Sequence, residues 1–108
     1  MWGEILNNVN QSVAQLISAD ENIQKIISGT NNAVSSGQHL DPKTKELIAI
    51  AIAVTTRCEG CIAAHVKKAS ELGVTKEELT DTMAIAIALN AGAAIVYSAK
   101  AVDAWSNL

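Results

Sequence analysis

The segment Arg57 to His65 reads RCEGCIAAH and holds both cysteines of the chain, Cys58 and Cys61, with one of its two histidines, His65. Spacings of three and four residues put 58, 61 and 65 on one face of a helix. Two thiols and a base on one face suit thiol–disulfide or thiol–peroxide exchange. One thiolate attacks, the second thiol resolves, and the imidazole moves the proton. Thr56-x-x-Glu59 matches a capping box and predicts a helix that opens at Thr56, with Cys58 at its second position. The partial positive charge of a helix N-terminus would favour a thiolate there and lower its pKa. Two other readings of these residues stay open at this point. The cysteines can be small apolar groups in a core, with His65 a satisfied polar side chain. They can also be part of a zinc site, although zinc usually wants four ligands and these all stand on one helix.

Glu46 is the next residue with chemistry to offer. It precedes Cys58 by eleven intervening residues and sits in the first turns of a segment that then becomes almost wholly apolar. One expectation is an exposed glutamate that complements the helix dipole. The other is contact with Cys58 across a helix pair, where it would relay a proton, and a turn at Thr55–Arg57 would fold the two helices together. His39 reads as a solvated loop residue, Arg57 as a surface cation, and Lys67-Lys68 as a solvated face. Trp2, Tyr97 and Trp105 read as anchors of the termini or of subunit contacts.

The elements that must position these groups read as helices throughout. Apolar residues recur at three- and four-residue intervals, and no Asn-Gly or Asp-Gly hairpin signal occurs. Asp41-Pro42 predicts an N-cap followed by a first-turn proline. The helix that follows is expected to run from Pro42 to about Val54 and to be central and buried. The next runs from Thr56 to Leu72 and stops at Gly73. Thr75-x-x-Glu78 is a second capping box and opens the last helix or helix pair. Upstream, Ile5, Leu6, Val9, Val13, Leu16 and Ile17 form one apolar stripe, which Ile23, Ile26 and Ile27 continue or restart. A short helix is expected over Asn31–Ser36, bounded by Gly29 and Gly37.

Composition narrows the class. A chain of 108 residues suits one domain. A net charge of −3 argues against a nucleic-acid surface, which is usually strongly basic. Hydrophobic residues make up 49% of the chain but aromatics only 3%, so the core must be aliphatic. Only 18% of residues are charged, which suggests that copies of the chain cover part of its surface. The start, MWGEILNNVNQ, lacks a basic segment followed by a long apolar run. The apolar stretch from Met83 to Tyr97 is shorter than the roughly 20 residues of a membrane span, and Asn90 interrupts it. The expectation is a cytoplasmic protein, where a CxxC pair is redox-active or metal-binding rather than a structural staple. Nothing in the sequence calls for a cofactor.

Residues 40–79, LDPKTKELIAIAIAVTTRCEGCIAAHVKKASELGVTKEEL, resemble the core of the carboxymuconolactone decarboxylase family, in its alkylhydroperoxidase D-like branch. That branch has a Glu-x11-Cys-x-x-Cys-x3-His pattern, and Glu46, Cys58, Cys61 and His65 fill all four places. The resemblance implies an all-α fold, a bundle of about five to six helices with a central antiparallel pair carrying the CxxC site. It also implies a homo-oligomer, trimeric or hexameric. By the same resemblance Cys61 is the attacking thiol and Cys58 the resolving one, with His65 assisting at Cys61 and Glu46 acting on Cys58 through water. The activity implied is reduction of hydroperoxides or disulfides, with electrons from an external dithiol carrier. The decarboxylase branch generally lacks the cysteine pair, which sets decarboxylation behind this reading. A non-catalytic assembly module is the alternative from another class. Alkylhydroperoxidases of the branch also carry a histidine between the cysteines, and here that place is Gly60.

Overall fold

The computed structural model describes residues 1–108 as five helices and no strand. They are α1 (Trp2–Ala19), α2 (Glu21–Ser35), α3 (Pro42–Thr56), α4 (Glu59–Glu71) and α5 (Lys76–Ser106). The all-α expectation therefore holds, with the last segment a single 31-residue helix rather than a pair. Three of the starts are capped by a side-chain oxygen. Asp20 breaks α1 from α2 in one extended residue, and its carboxylate accepts from the Asn22 amide at 2.9 Å. Asp41 accepts from the Thr44 amide at 2.8 Å, with Pro42 opening α3. Thr75 and Glu78 exchange the two bonds of a complete capping box.

Two boundaries differ from the expectation. No separate helix forms over 31–36, because α2 runs unbroken through Gly29 to Ser35. A glycine inside a helix weakens it without forbidding it. The second difference bears on the site. Thr56 does not cap α4; it is the last residue of α3, and its hydroxyl donates back to the Ile52 carbonyl at 2.9 Å. The chain reverses at Arg57, which takes the left-handed conformation with φ 58°. The Arg57 amide then donates to Val54 and the Cys58 amide to Ala53 at 3.0 Å, which closes the C-terminus of α3 as a Schellman motif. That closure brings α4 back along α3.

The α3–α4 pair is the centre of the molecule, with α5 packed on α3 and α1 on α4. The buried side chains are few and lie mostly on this pair: Glu46, Ile50 and Ala53 on α3, Ala63 and Ala69 on α4, and Ala86 on α5. In all, six of 108 residues are buried. The Cα radius of gyration is 17.8 Å, against about 13 Å for a compact domain of this length. Much apolar surface faces outward, including Ile85, Ile87, Leu89, Ile95, Val96 and Trp105 along α5. Trp2, Tyr97 and Trp105, expected to anchor the ends, are exposed within the single chain. By length and composition α5 is also long enough to cross a membrane, which the apolar run from Met83 to Tyr97 alone is not. Its central Asn90 is exposed but faces α3, donating to Ala86 O at 2.7 Å and to Thr55 Oγ1 of α3 at 3.0 Å.

Candidate active site

Cys58 is the N-cap of α4, one step outside the helix rather than at its second position. Its sulfur accepts from the Cys61 amide at 3.2 Å, so a sulfur does what a serine or aspartate oxygen does at other helix starts. Its own amide is spent on the C-terminus of α3. Cys58 thus ties the end of one helix to the beginning of the next. Cys61 lies in the first turn of α4, with a Cα–Cα distance of 5.2 Å to Cys58, and the two form a disulfide. That distance falls in the ordinary range for the bond.

His65 follows one turn after Cys61 on the same helix. Its Nδ1 is 2.9 Å from Oε2 of Glu46 on α3. A carboxylate only accepts, so the ring donates from Nδ1 and Nε2 is left as the basic nitrogen. Glu46 is 5% exposed, which overturns the expectation of a solvated glutamate in the first turns of α3. Its partner is His65 rather than Cys58. The second oxygen, Oε1, stands 3.6 Å from Lys68 Nζ. Lys68, read from the sequence as part of a solvated face, keeps an exposed side chain yet places its charge on the buried carboxylate. The signal for it was available: 61, 65 and 68 share one helical face at spacings of four and three.

A cavity of about 770 Å³ opens between α2, α3 and α4. Cys61, His65, Glu46 and Lys68 line one side of it, and Thr30, Asn31 and Ser35 of α2 the other. Ala49, Ile52 and Ala53 give it an apolar floor. Cys58 is not among the lining residues, so Cys61 is the sulfur presented to the cavity. Lys45 holds the α2 side in place, its Nζ donating to the carbonyls of Val34 at 2.9 Å and Gly37 at 2.6 Å. His39 lies away from this chemistry, in the loop between α2 and α3, where it lines a second cavity beside Leu40 and Ile48. Arg57 makes the turn before Cys58 and is exposed. With Cys58 and Cys61 joined in a disulfide, no group of three or more side chains is placed to hold a metal ion.

The profile of the carboxymuconolactone decarboxylase family matches residues 21–104. The chain belongs to this family. It is 43% identical over 105 residues to an uncharacterized protein of Haemophilus influenzae, covering 97% of this chain and 93% of that one. An uncharacterized protein of Methanocaldococcus jannaschii is 31% identical over 101 residues, covering 94% and 85%. The crystal structure of an apo carboxymuconolactone decarboxylase family protein from Legionella pneumophila superposes with a TM-score of 0.77 at 31% identity, covering 98% of this chain and 95% of that one. A cysteine pair at disulfide distance fits a redox role at the level of the family.

Proposed function

We propose that this family member is a thiol-dependent oxidoreductase that reduces hydroperoxides or disulfides through Cys58 and Cys61. The observation that carries the reading is that the cavity brings together Cys61, one sulfur of a formed disulfide, and a His65–Glu46 pair. In the peroxide reaction Nε2 of His65 takes the Cys61 thiol proton, and the thiolate attacks the outer oxygen of ROOH. The O–O bond breaks, giving Cys61 sulfenic acid and an alkoxide that takes a proton from His65. The Cys58 thiol then displaces water from the sulfenic acid and closes the disulfide. An external dithiol attacks Cys61 from the cavity, Cys58 leaves, and the carrier departs as its own disulfide. Cys58 is a good leaving group here, because the Cys61 amide and the α4 N-terminus stabilise negative charge on its sulfur. For a disulfide substrate the same exchanges run without the sulfenic acid.

The proposed setting is the cytoplasm, where an external dithiol can keep the pair cycling. The proposed assembly is a homo-oligomer. Six buried residues of 108 and an apolar α5 left open are poor support for a lone chain, and copies of it would cover that surface. A monomeric mass at micromolar concentration by light scattering would overturn the assembly.

Peroxide consumption with a dithiol reductant decides the chemistry. Wild type should consume peroxide and lose about 2 Da as the disulfide closes. Cys61→Ser should do neither. Equal consumption by the two would remove Cys61 from the mechanism and leave an assembly module as the better description.

A further inference from the structure

Gly60 lies between the two cysteines, in the first turn of α4. A Cβ built on it would meet three atoms of Val9 on α1: Cγ2 at 2.8 Å, Cγ1 at 3.2 Å and Cβ at 3.4 Å. Both Val9 methyls already face this position, and turning them away would cost Val9 its preferred rotamer, because β-branched side chains are stiff about χ1. The backbone of the CxxC turn and the apolar stripe of α1 are therefore in direct contact, with no side chain between them. Glycine is the most conformationally free residue, and alone it would leave the turn loose. Pressed under Val9, it is not.

We infer that Val9 is a positioning residue of the dithiol: by clamping Gly60, α1 sets the reduction potential of the Cys58–Cys61 pair. The inference rests on the redox reading above. An intramolecular disulfide is favoured by the effective concentration of one thiol at the other, which falls when the segment joining them is free to move. With Val9 packed on it, the 58–61 turn has a Cα–Cα distance of 5.2 Å, close enough to form the bond. The same contact explains why the histidine found between the cysteines in related alkylhydroperoxidases has no room here: α1 occupies its space.

The test equilibrates the full-length protein in glutathione buffers of stepped ratio and reads the oxidised fraction by mass after acid quench. Gly60→Ala should shift the equilibrium about tenfold toward the dithiol, equivalent to about 30 mV for this two-electron couple. Val9→Ala, which loosens the clamp without adding bulk, should shift it about threefold in the same direction. The double variant, which removes the two Val9 methyls that a Cβ at position 60 would meet, should return to within about twofold of wild type. Val9→Ala keeps the test open should Gly60→Ala not fold. An unchanged equilibrium in Val9→Ala would overturn the inference, as would a double variant no better than Gly60→Ala. A wild type that forms no disulfide at any ratio would instead overturn the redox reading itself.

Discussion

Glu46 and His65 are 19 positions apart in sequence, yet Oε2 of one and Nδ1 of the other are 2.9 Å apart beside Cys61. The reversal at Arg57 produces this meeting, because it lays α4 back along α3. With Nδ1 engaged, the ring is oriented and its other nitrogen is the one available to a reacting sulfur or oxygen. Glu46→Gln keeps an oxygen that can accept from Nδ1–H but removes the charge that stabilises an imidazolium. The expected outcome is a fall of about 10- to 100-fold in the rate of peroxide-driven disulfide formation, with melting little changed. Stopped-flow kinetics beside a thermal melt would measure both, and an unchanged rate would reduce Glu46 to a packing role.

Lys68 offers a separable test. Its ion pair with Glu46 is long, at 3.6 Å, and its side chain is 67% exposed, so little stability should depend on it. Lys68→Met is expected to change unfolding free energy by less than about 0.5 kcal/mol. The same substitution should slow thiolate attack several-fold, because a cation beside the cavity is lost. Added salt should narrow the difference between the two proteins by screening that charge. Rates that differ equally at low and high salt would point to a steric cause.

Acid should unfold the chain partly through its caps. The Thr44 amide, and then the Thr44 hydroxyl, hold the Asp41 carboxyl below its ordinary range. The Thr75 amide and hydroxyl do the same for Glu78. Each group releases its proton more readily folded than unfolded, so its contribution is complete above the unfolded value of about 4. It fades as pH falls through the lower folded value. Melting temperature should therefore decline below about pH 4, and Asp41→Asn with Glu78→Gln should flatten that decline. A wild-type acid limb as steep as that of the double variant would place the sensitivity elsewhere.

Arg57 holds a left-handed backbone conformation, at φ 58°, that glycine adopts at no steric cost. Arg57→Gly is expected to stabilise the chain by about 1 kcal/mol, read from denaturant unfolding. Peroxide consumption should be unchanged, since Arg57 is exposed and lines no part of the cavity around Cys61. A loss of activity without loss of stability would give the guanidinium a place in the chemistry.

The sequence carried its fold well where the determinants are local. Asp41-Pro42 and Thr75-x-x-Glu78 act within one turn, and both cap as their residue types dictate. Thr56-x-x-Glu59 looked equally good and capped nothing, because the turn that decides that boundary belongs to α3. Its closing bonds, from Arg57 and Cys58 back to Val54 and Ala53, put the start of α4 two residues later than the pattern suggests. Gly29 and Gly37 appeared to bound a short helix, but α2 passes through the first, since helix-breaking by one glycine is weak. For the candidate site, spacing singled out Cys58, Cys61 and His65, and the family pattern added Glu46. That Glu46 would be buried against His65, with Lys68 on its other oxygen, depends on how two helices lie together. No single-helix pattern encodes that. Gly60 was legible only as a departure from the family; its cause, Val9, lies 51 positions away on another helix.

The cap at Cys58 separates what keeps this protein folded from what keeps it working. Serine is among the best N-cap residues, and its oxygen could take the Cys61 amide as the Cys58 sulfur does. Exchanging that one atom leaves the helix start intact while ending disulfide formation. Reduced wild type and Cys58→Ser should melt within a few degrees of each other, although only one of them can cycle. Pressure to stay folded therefore does nothing to preserve the pair. Under the proposed chemistry a lineage could drift from enzyme to inert scaffold through this single silent-looking substitution, and only the demand for turnover would hold the sulfur in place.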